Sequence, residues 1–239
     1  MHPQILLSNK QRAQKMQRNE LKDILEHECF ETLSNMDFEN IAKNSTVLSF
    51  KKGENIIKQG SFVTHICFVL DGLAKFNVET NNTTNTLRII PKDRFIGIQY
   101  AFCDKINHFS AIAIENSKIL MIDINAFKQL MTTNGFFALE ISKTISIICE
   151  KMVSRILLYR TKNIEGSLAS FITHYAKIFN SNEYTIPFSR VEISEMIGYS
   201  RESVIHTFTK FSKDGIIKVK DKNIKIIDED LLKHISQIG

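Results

Sequence analysis

The segment that most constrains what this chain can become is residues 188–217, FSRVEISEMIGYSRESVIHTFTKFSKDGII. Ser189 with Glu192 three positions on spells a capping box that starts a helix. Ile193, Met196 and Ile197 then recur at helical spacing, and Gly198 supplies a residue that ends a helix in the left-handed conformation at little cost. Ser200 is a second N-cap, and Val204, Phe208 and Phe211 fall at i, i+4 and i+7 to bury one side of a second helix. The opposite flank carries Arg201, Glu202, Ser203, His206, Thr207 and Lys210, groups that reach base edges and phosphates. The pattern predicts a helix-turn-helix whose second helix presents its N-terminal residues to a major groove.

Beyond the second helix the pattern predicts a wing. Residues 216–220 alternate as a strand, Asp221-Lys222-Asn223 turns the chain, and residues 224–227 return as a second strand. Lys218, Lys220, Lys222 and Lys225 would lie in or near this hairpin, where cations meet phosphate oxygens. Alternating lysines also protect a sheet edge, and that reading stays open. The candidate DNA-binding residues are Ser189, Ser200, Arg201, Glu202, Ser203, His206, Lys210, Lys218 and Lys222.

Bulk charge does not make this case. The net charge is +5, and from Asn163 onward ten Lys/Arg stand against ten Asp/Glu, so the argument rests on where charges lie. No apolar run approaches the ~18 residues of a membrane span. The N-terminus, with Ile5-Leu6-Leu7 as its apolar stretch, lacks a secretory core, so a cytoplasmic protein away from the membrane is expected. Cys29, Cys67, Cys103 and Cys149 form no C-x-x-C pair, which favours reduced, mostly buried thiols. His65 and His108 could converge on haem or a metal, but nothing in their spacing says so, and no metal site or catalytic residue is assigned. An enzyme on a cupin-like roll would need a cluster of His and carboxylate ligands that the sequence does not offer.

The remaining chain completes an α+β organisation. Residues 1–27 read as an N-terminal arm or helix, with Leu21, Ile24 and Leu25 as its helical stripe. Residues 28–133 break into short β-rich runs punctuated by Lys52-Gly53, Gln59-Gly60, Asp71-Gly72 and Pro91-Lys92-Asp93, the texture of an antiparallel jelly roll able to enclose a small ligand. Residues 134–162 turn helical, with Ile141, Ile145, Ile148, Met152 and Tyr159 on one seam. The expected outlet for that seam is a second copy of the chain, with the seam's own roll as the alternative. Residues 163–239 hold the winged helix.

The order roll, long helix, winged helix resembles the family of the cyclic-AMP receptor protein and the fumarate-nitrate reductase regulator (CRP/FNR). In the roll, Lys52-Gly53-Glu54-Asn55-Ile56-Ile57-Lys58-Gln59-Gly60 and Phe68-Val69-Leu70-Asp71-Gly72 are similar to two of its strand-and-turn motifs. Leu168-Ala169-Ser170-Phe171 resembles its entry helix, and Gly198-Tyr199-Ser200-Arg201-Glu202-Ser203-Val204 closely follows its G-x-S-R-E-T/S-V signature. The resemblance implies a homodimeric transcription regulator that reads a palindromic duplex and works with RNA polymerase, with Arg201 and Glu202 touching bases. His206 stands where relatives carry a second base-contacting Arg, so their half-site does not carry over.

The effector does not carry over either. Cyclic-nucleotide binders of the family hold phosphate with an Arg in R-S/T-A and ribose with a Glu in G-E-L, whereas the matching segments here read Phe109-Ser110-Ala111 and Gly97-Ile98-Gln99. Gly97, Gln99, Phe109 and Ser110 are therefore the candidate effector pocket, and cyclic AMP is not expected in it. Only Cys29 precedes the roll, so an iron-sulfur cluster is not expected. The effector stays open among a small molecule in the roll, haem through a histidine, a redox change at Cys103 or Cys149, and none at all. An interaction module whose winged helix binds protein is the rival to a DNA reader.

Overall fold

The computed structural model describes residues 30–80 and 83–239. The expected arm at 1–27 and Cys29 lie outside the described residues. The chain divides into two compact units, one ending at Cys149 and the other spanning Glu150–Gly239.

The first unit opens with helix α1 (Asn35–Lys43), started by a capping box between Ser34 and Asp37. Eight strands succeed it: β1 (Ser45–Phe50), β2 (Asn55–Ile57), β3 (His65–Asp71), β4 (Ala74–Thr80), β5 (Thr83–Ile90), β6 (Arg94–Ile96), β7 (Ser110–Ala113) and β8 (Ser117–Asp123), with a 3-10 turn at Ile98–Tyr100. They form two antiparallel sheets, ordered β1-β8-β3-β6 and β2-β7-β4-β5. β6 is an element that the punctuation at Pro91-Lys92-Asp93 concealed, because it is three residues long and flanked by turn residues.

β3 explains the unbroken apolar run Ile66-Cys67-Phe68-Val69. Cys67 and Val69 face the core between the sheets with Phe76, Phe109, Ala111 and Ile119. Ile66 and Phe68 face a second core with Phe30, Phe95, Leu120, Ile122 and helix α2 (Ile124–Thr133) through Phe127 and Leu130. A strand covered on both faces cannot alternate. Burial drives the Cys67 thiol up to about 12, so it stays protonated and inert.

Helix α3 (Gly135–Thr161) is 27 residues long. Its first turns join the outer core through Phe137 and Ile141, with Ile145 and Ile148 packed against it. This corrects the expected pairing seam, whose N-terminal half is satisfied inside the subunit. Other apolar residues of the same helix are exposed: Leu139 at 64%, Ile147 at 43%, Val153 and Ile156 at 56% and Leu157 at 57%.

The second unit holds α4 (Ile164–Phe179), β9 (Glu183–Thr185), α5 (Arg190–Ile197), α6 (Arg201–Lys213), β10 (Ile217–Lys220), β11 (Asn223–Ile226) and α7 (Glu229–Ile238). The hairpin gains a third strand, in the order β10-β11-β9. β9 is anchored by Tyr184, whose buried hydroxyl donates to the Ile172 carbonyl at 2.7 Å. Among the described residues no helix is long and apolar enough to cross a membrane.

Candidate nucleic-acid interface

Two caps place α6 against α5. Ser189 accepts from the Glu192 amide at 3.2 Å while Glu192 accepts from the Ser189 amide at 2.8 Å, closing the capping box. Gly198 ends α5 at φ +78°, a conformation that would strain any side chain. Ser200 then caps α6, accepting from the Ser203 amide at 3.1 Å and donating to the Ser203 hydroxyl at 2.9 Å. Val204, Phe208 and Phe211 are buried beneath the helix. Arg190 extends that packing, its half-buried guanidinium 3.6 Å from the centre of the Phe208 ring. Burial pulls the Arg190 pKa below the usual arginine value.

Arg201, Glu202, His206 and Lys210 are exposed on the outer flank, with Ser203 half-buried. Thr207 departs from the expected flank: it is 3% exposed and its hydroxyl donates to the Ser203 carbonyl at 2.9 Å. Threonine commonly returns its hydroxyl to its own helix in this way, so polarity alone did not fix its side. Lys210 is paired with Glu165 at the start of α4, which raises its pKa. That partner, 45 positions away, leaves no local trace in the sequence. The structure adds two residues that the sequence pattern did not single out, Ile205 (41% exposed) and Thr209, both outward on the same helix. Ile205 was hidden because an apolar residue at that spacing reads as core.

In the wing, β10 and β11 pair Ile217 with Ile226 and Val219 with Ile224, which sets Lys218 opposite Lys225 on the other face. Lys218, Lys220, Lys222 and Lys225 are all exposed. Lys225 meets Glu183 of β9 at 2.9 Å. Asp221 turns the hairpin at φ +53°, which a short polar side chain tolerates, and Lys222 stands at the tip.

The candidate effector residues have a different character. The Phe109 ring lies where a Cβ on Gly97 would sit, 2.1 Å from its nearest atom, and Gly97 itself is at φ +66°. Phe109 stacks on Phe76 with ring centres 4.4 Å apart and an interplanar angle of 15°, and Tyr100 is 5.5 Å from Phe109. Arg88 closes over Phe76 at 5.6 Å. Ser110 is buried and accepts from the Gln59 amide at 3.0 Å. The side-chain amide of Gln99 is enclosed and finds no hydrogen-bond partner among the described residues. Gly97 and Phe109 thus meet directly, and the aromatic rings occupy the space around them.

The other candidate sensors do not converge on one site. Cys103 is exposed and its thiol donates to the Gln99 carbonyl at 3.3 Å, while Cys149 is exposed on α3. His65 bonds Thr64 at 2.9 Å, and His108 pairs with Asp104 at 2.9 Å. Among the described residues no three His, Cys, Asp or Glu side chains gather as a metal site would require.

Two family models match the chain: a cyclic nucleotide-binding domain over residues 47–134 and a Crp-like helix-turn-helix domain over residues 166–235. The chain is similar to the transcriptional activator protein FnrA of Stutzerimonas stutzeri, 23% identical over 184 residues that cover 74% of this chain and 75% of that one. It is 26% identical to electron transport regulator A of Shewanella oneidensis over 74% of this chain and 73% of the relative. Among solved structures, FixK2 from Bradyrhizobium japonicum shares the fold with a TM-score of 0.67 at 14% identity, covering 82% of this chain and 98% of that one.

Proposed function

The chain belongs to the CRP/FNR family of transcription regulators, and from that premise we propose that it reads a two-fold symmetric operator as a homodimer without responding to cyclic AMP. It is a regulator and not an enzyme, as its relatives are. The observation that carries the proposal is the two-sided character of α6: an apolar side locked on Val204, Phe208 and Phe211, and an exposed flank that opens with Arg201 and Glu202.

On that flank the Arg201 guanidinium forks onto guanine O6 and N7, and the Glu202 carboxylate accepts from cytosine N4. Ile205 offers methyl groups to a thymine methyl, and His206 a single ring nitrogen to a base or phosphate. Ser200 and Ser203, with Lys218 and Lys222 of the wing, supply contacts to phosphate that hold the helix in register. Lys210 and Lys225 are committed in part to Glu165 and Glu183 and contribute less. In this scheme residues 28–133 form the sensor, 134–162 the pairing helix and 163–239 the reader.

Dimerisation is supported by the exposed apolar side chains of α3, among them Leu139, Val153 and Leu157, which a second copy of the helix would cover. Two-fold pairing sets the recognition helices into successive major grooves about 34 Å apart. In the roll, Phe109 stands where an anchoring Arg would be needed and its ring fills the approach to Gly97, so the residues present do not fit a cyclic nucleotide. Contact with RNA polymerase belongs to the same proposal through the family.

The test is binding of the full-length protein to duplexes it selects from a random pool, measured against salt, together with its mass under non-denaturing conditions. The expected result is a dimer whose affinity falls steeply with ionic strength. A monomer with a flat salt response and no duplex preference would overturn the proposal.

A further inference from the structure

The turn between α5 and α6 is bonded to the end of the long helix. The Tyr199 hydroxyl donates to the Lys162 carbonyl at 2.5 Å, across 37 positions of sequence. Both residues, and the last turns of α3 from Glu150, belong to the same compact unit. Carbonyls at the end of a helix have no partner within it, so the acceptor just beyond Thr161 is one that an outside donor satisfies well.

The backbone of Tyr199 is fixed independently. The amides of Gly198 and Tyr199 donate to the Ser194 carbonyl at 2.9 and 3.1 Å, which anchors them to the end of α5. The next residue is Ser200, the N-cap of α6. One side chain thus spans from the long helix to the residue on which the recognition helix begins.

The corner that receives this bond is itself held on several sides. The Lys162 ammonium donates to the Ser236 carbonyl, and the Asn163 amide donates to the Gly239 carbonyl at 2.8 Å. Asn163 caps α4 by accepting from the Gly166 amide at 2.9 Å. Nearer the middle of α3, Arg155 donates to the ring of His174 on α4 at 2.9 Å. These bonds join the last turns of α3 to α4 and α7; the Tyr199 bond extends the set to the helix-turn-helix.

We infer that Tyr199 is a positioning residue, tying the start of the recognition helix to the end of the long helix so that the two turn together. This rests on the reading of α6 as the recognition helix of a dimer. A rotation imposed on the last turns of α3 then reaches Arg201 through a corner with its bonds already made, and the angle between two paired recognition helices is set by the helices that pair them.

Full-length Tyr199→Phe, which keeps the ring and removes the hydroxyl, separates this from a direct DNA contact. Three duplexes selected with the wild type serve as probes: the full two-fold site, one half-site, and the full site with a central base pair inserted. Half-site affinity should stay within about twofold of wild type, while full-site affinity falls by about tenfold, the order of one well-made hydrogen bond. The preference for the correct spacing should shrink by the same factor. Equal losses on half-site and full site, or no loss on either, would overturn the role. Amide hydrogen exchange on the free proteins gives a second readout: the variant should exchange faster at residues 162–163 and 200–203 and unchanged in the body of α4. Unchanged exchange at both places overturns the tie even where DNA binding is intact. A wild type that selects no duplex instead removes the DNA reading itself, and this role with it.

Discussion

The outer flank of α6 and the interior of the roll are the two places on which the proposed function turns, and in this chain they have opposite characters. The flank keeps exposed polar groups at its head, with the apolar residues turned beneath. The interior has replaced charge with rings, and Phe76 and Phe109 are each 2% exposed. The contrast teaches that architecture and ligand chemistry are separable. Two sheets need an apolar filling, and an aromatic stack serves that purpose whether or not a ligand ever binds.

The largest effect that sharpens this contrast is expected in the roll. Phe109→Ala should destabilise the first unit by about 3–5 kcal/mol, as removal of a buried ring does, seen as a lower denaturation midpoint with little change in half-site binding. A loss under about 1 kcal/mol would mean that the interior collapses freely and the stack is not the filling it looks like.

An effect of similar size is expected in the reader as pH falls. Burial first, then the charges of Arg155, Lys177 and Lys151, depress the His174 pKa to about 4 from its ordinary 6.5. The unfolded chain therefore takes up this proton before the folded one does. The stability of the second unit should be full above pH ~6.5 and fall progressively toward pH 4 by about 3 kcal/mol, levelling below that. His174→Gln should flatten that slope in denaturant titrations, and an unchanged slope would remove the assignment.

Arg201→Ala comes next, with an expected loss of about 1–3 kcal/mol on the selected duplex and relaxed preference at one base pair. Lys222→Ala should weaken selected and random duplexes alike and reduce the salt slope by about one. If the two variants behave identically, the flank carries no sequence information and the contrast with the roll fails. The smallest effect is none: cyclic AMP should change neither operator affinity nor the denaturation midpoint of the roll, and a midpoint rising with its concentration would show the interior to be a working site.

The reader was the more legible of the two regions because its signals are local. Ser189 with Glu192, Gly198, and Ser200 ahead of Val204 are each read within one or two helical turns, and the structure carries every one. What escaped depends on partners far away in sequence. Lys210 meets Glu165, Tyr184 of β9 meets Ile172, and Thr207 turns inward although its polarity pointed out. The long helix shows the same limit. Its periodicity announced an apolar seam correctly, but a helix with apolar groups on two sides does not say which side its own roll takes. Within the first unit the core took Phe137 and Ile141 and left Leu139 and Ile147 exposed. In the roll, the loss of charged anchors was plain at Phe109 and Ile98, whereas the stacking of Phe109 on Phe76 joins residues whose proximity no short-range pattern encodes.

β3 has a consequence for how the first unit responds to change. With Cys67 and Val69 on one side and Ile66 and Phe68 on the other, it is a partition one residue thick between two crowded rooms, and close-packed interiors transmit strain. A ring enlarged or trimmed beside Phe76 must push or release that partition, and the footing of Phe137 and Ile141 lies against its far side. Substitutions deep among the aromatics should thus register at the base of the long helix without touching it.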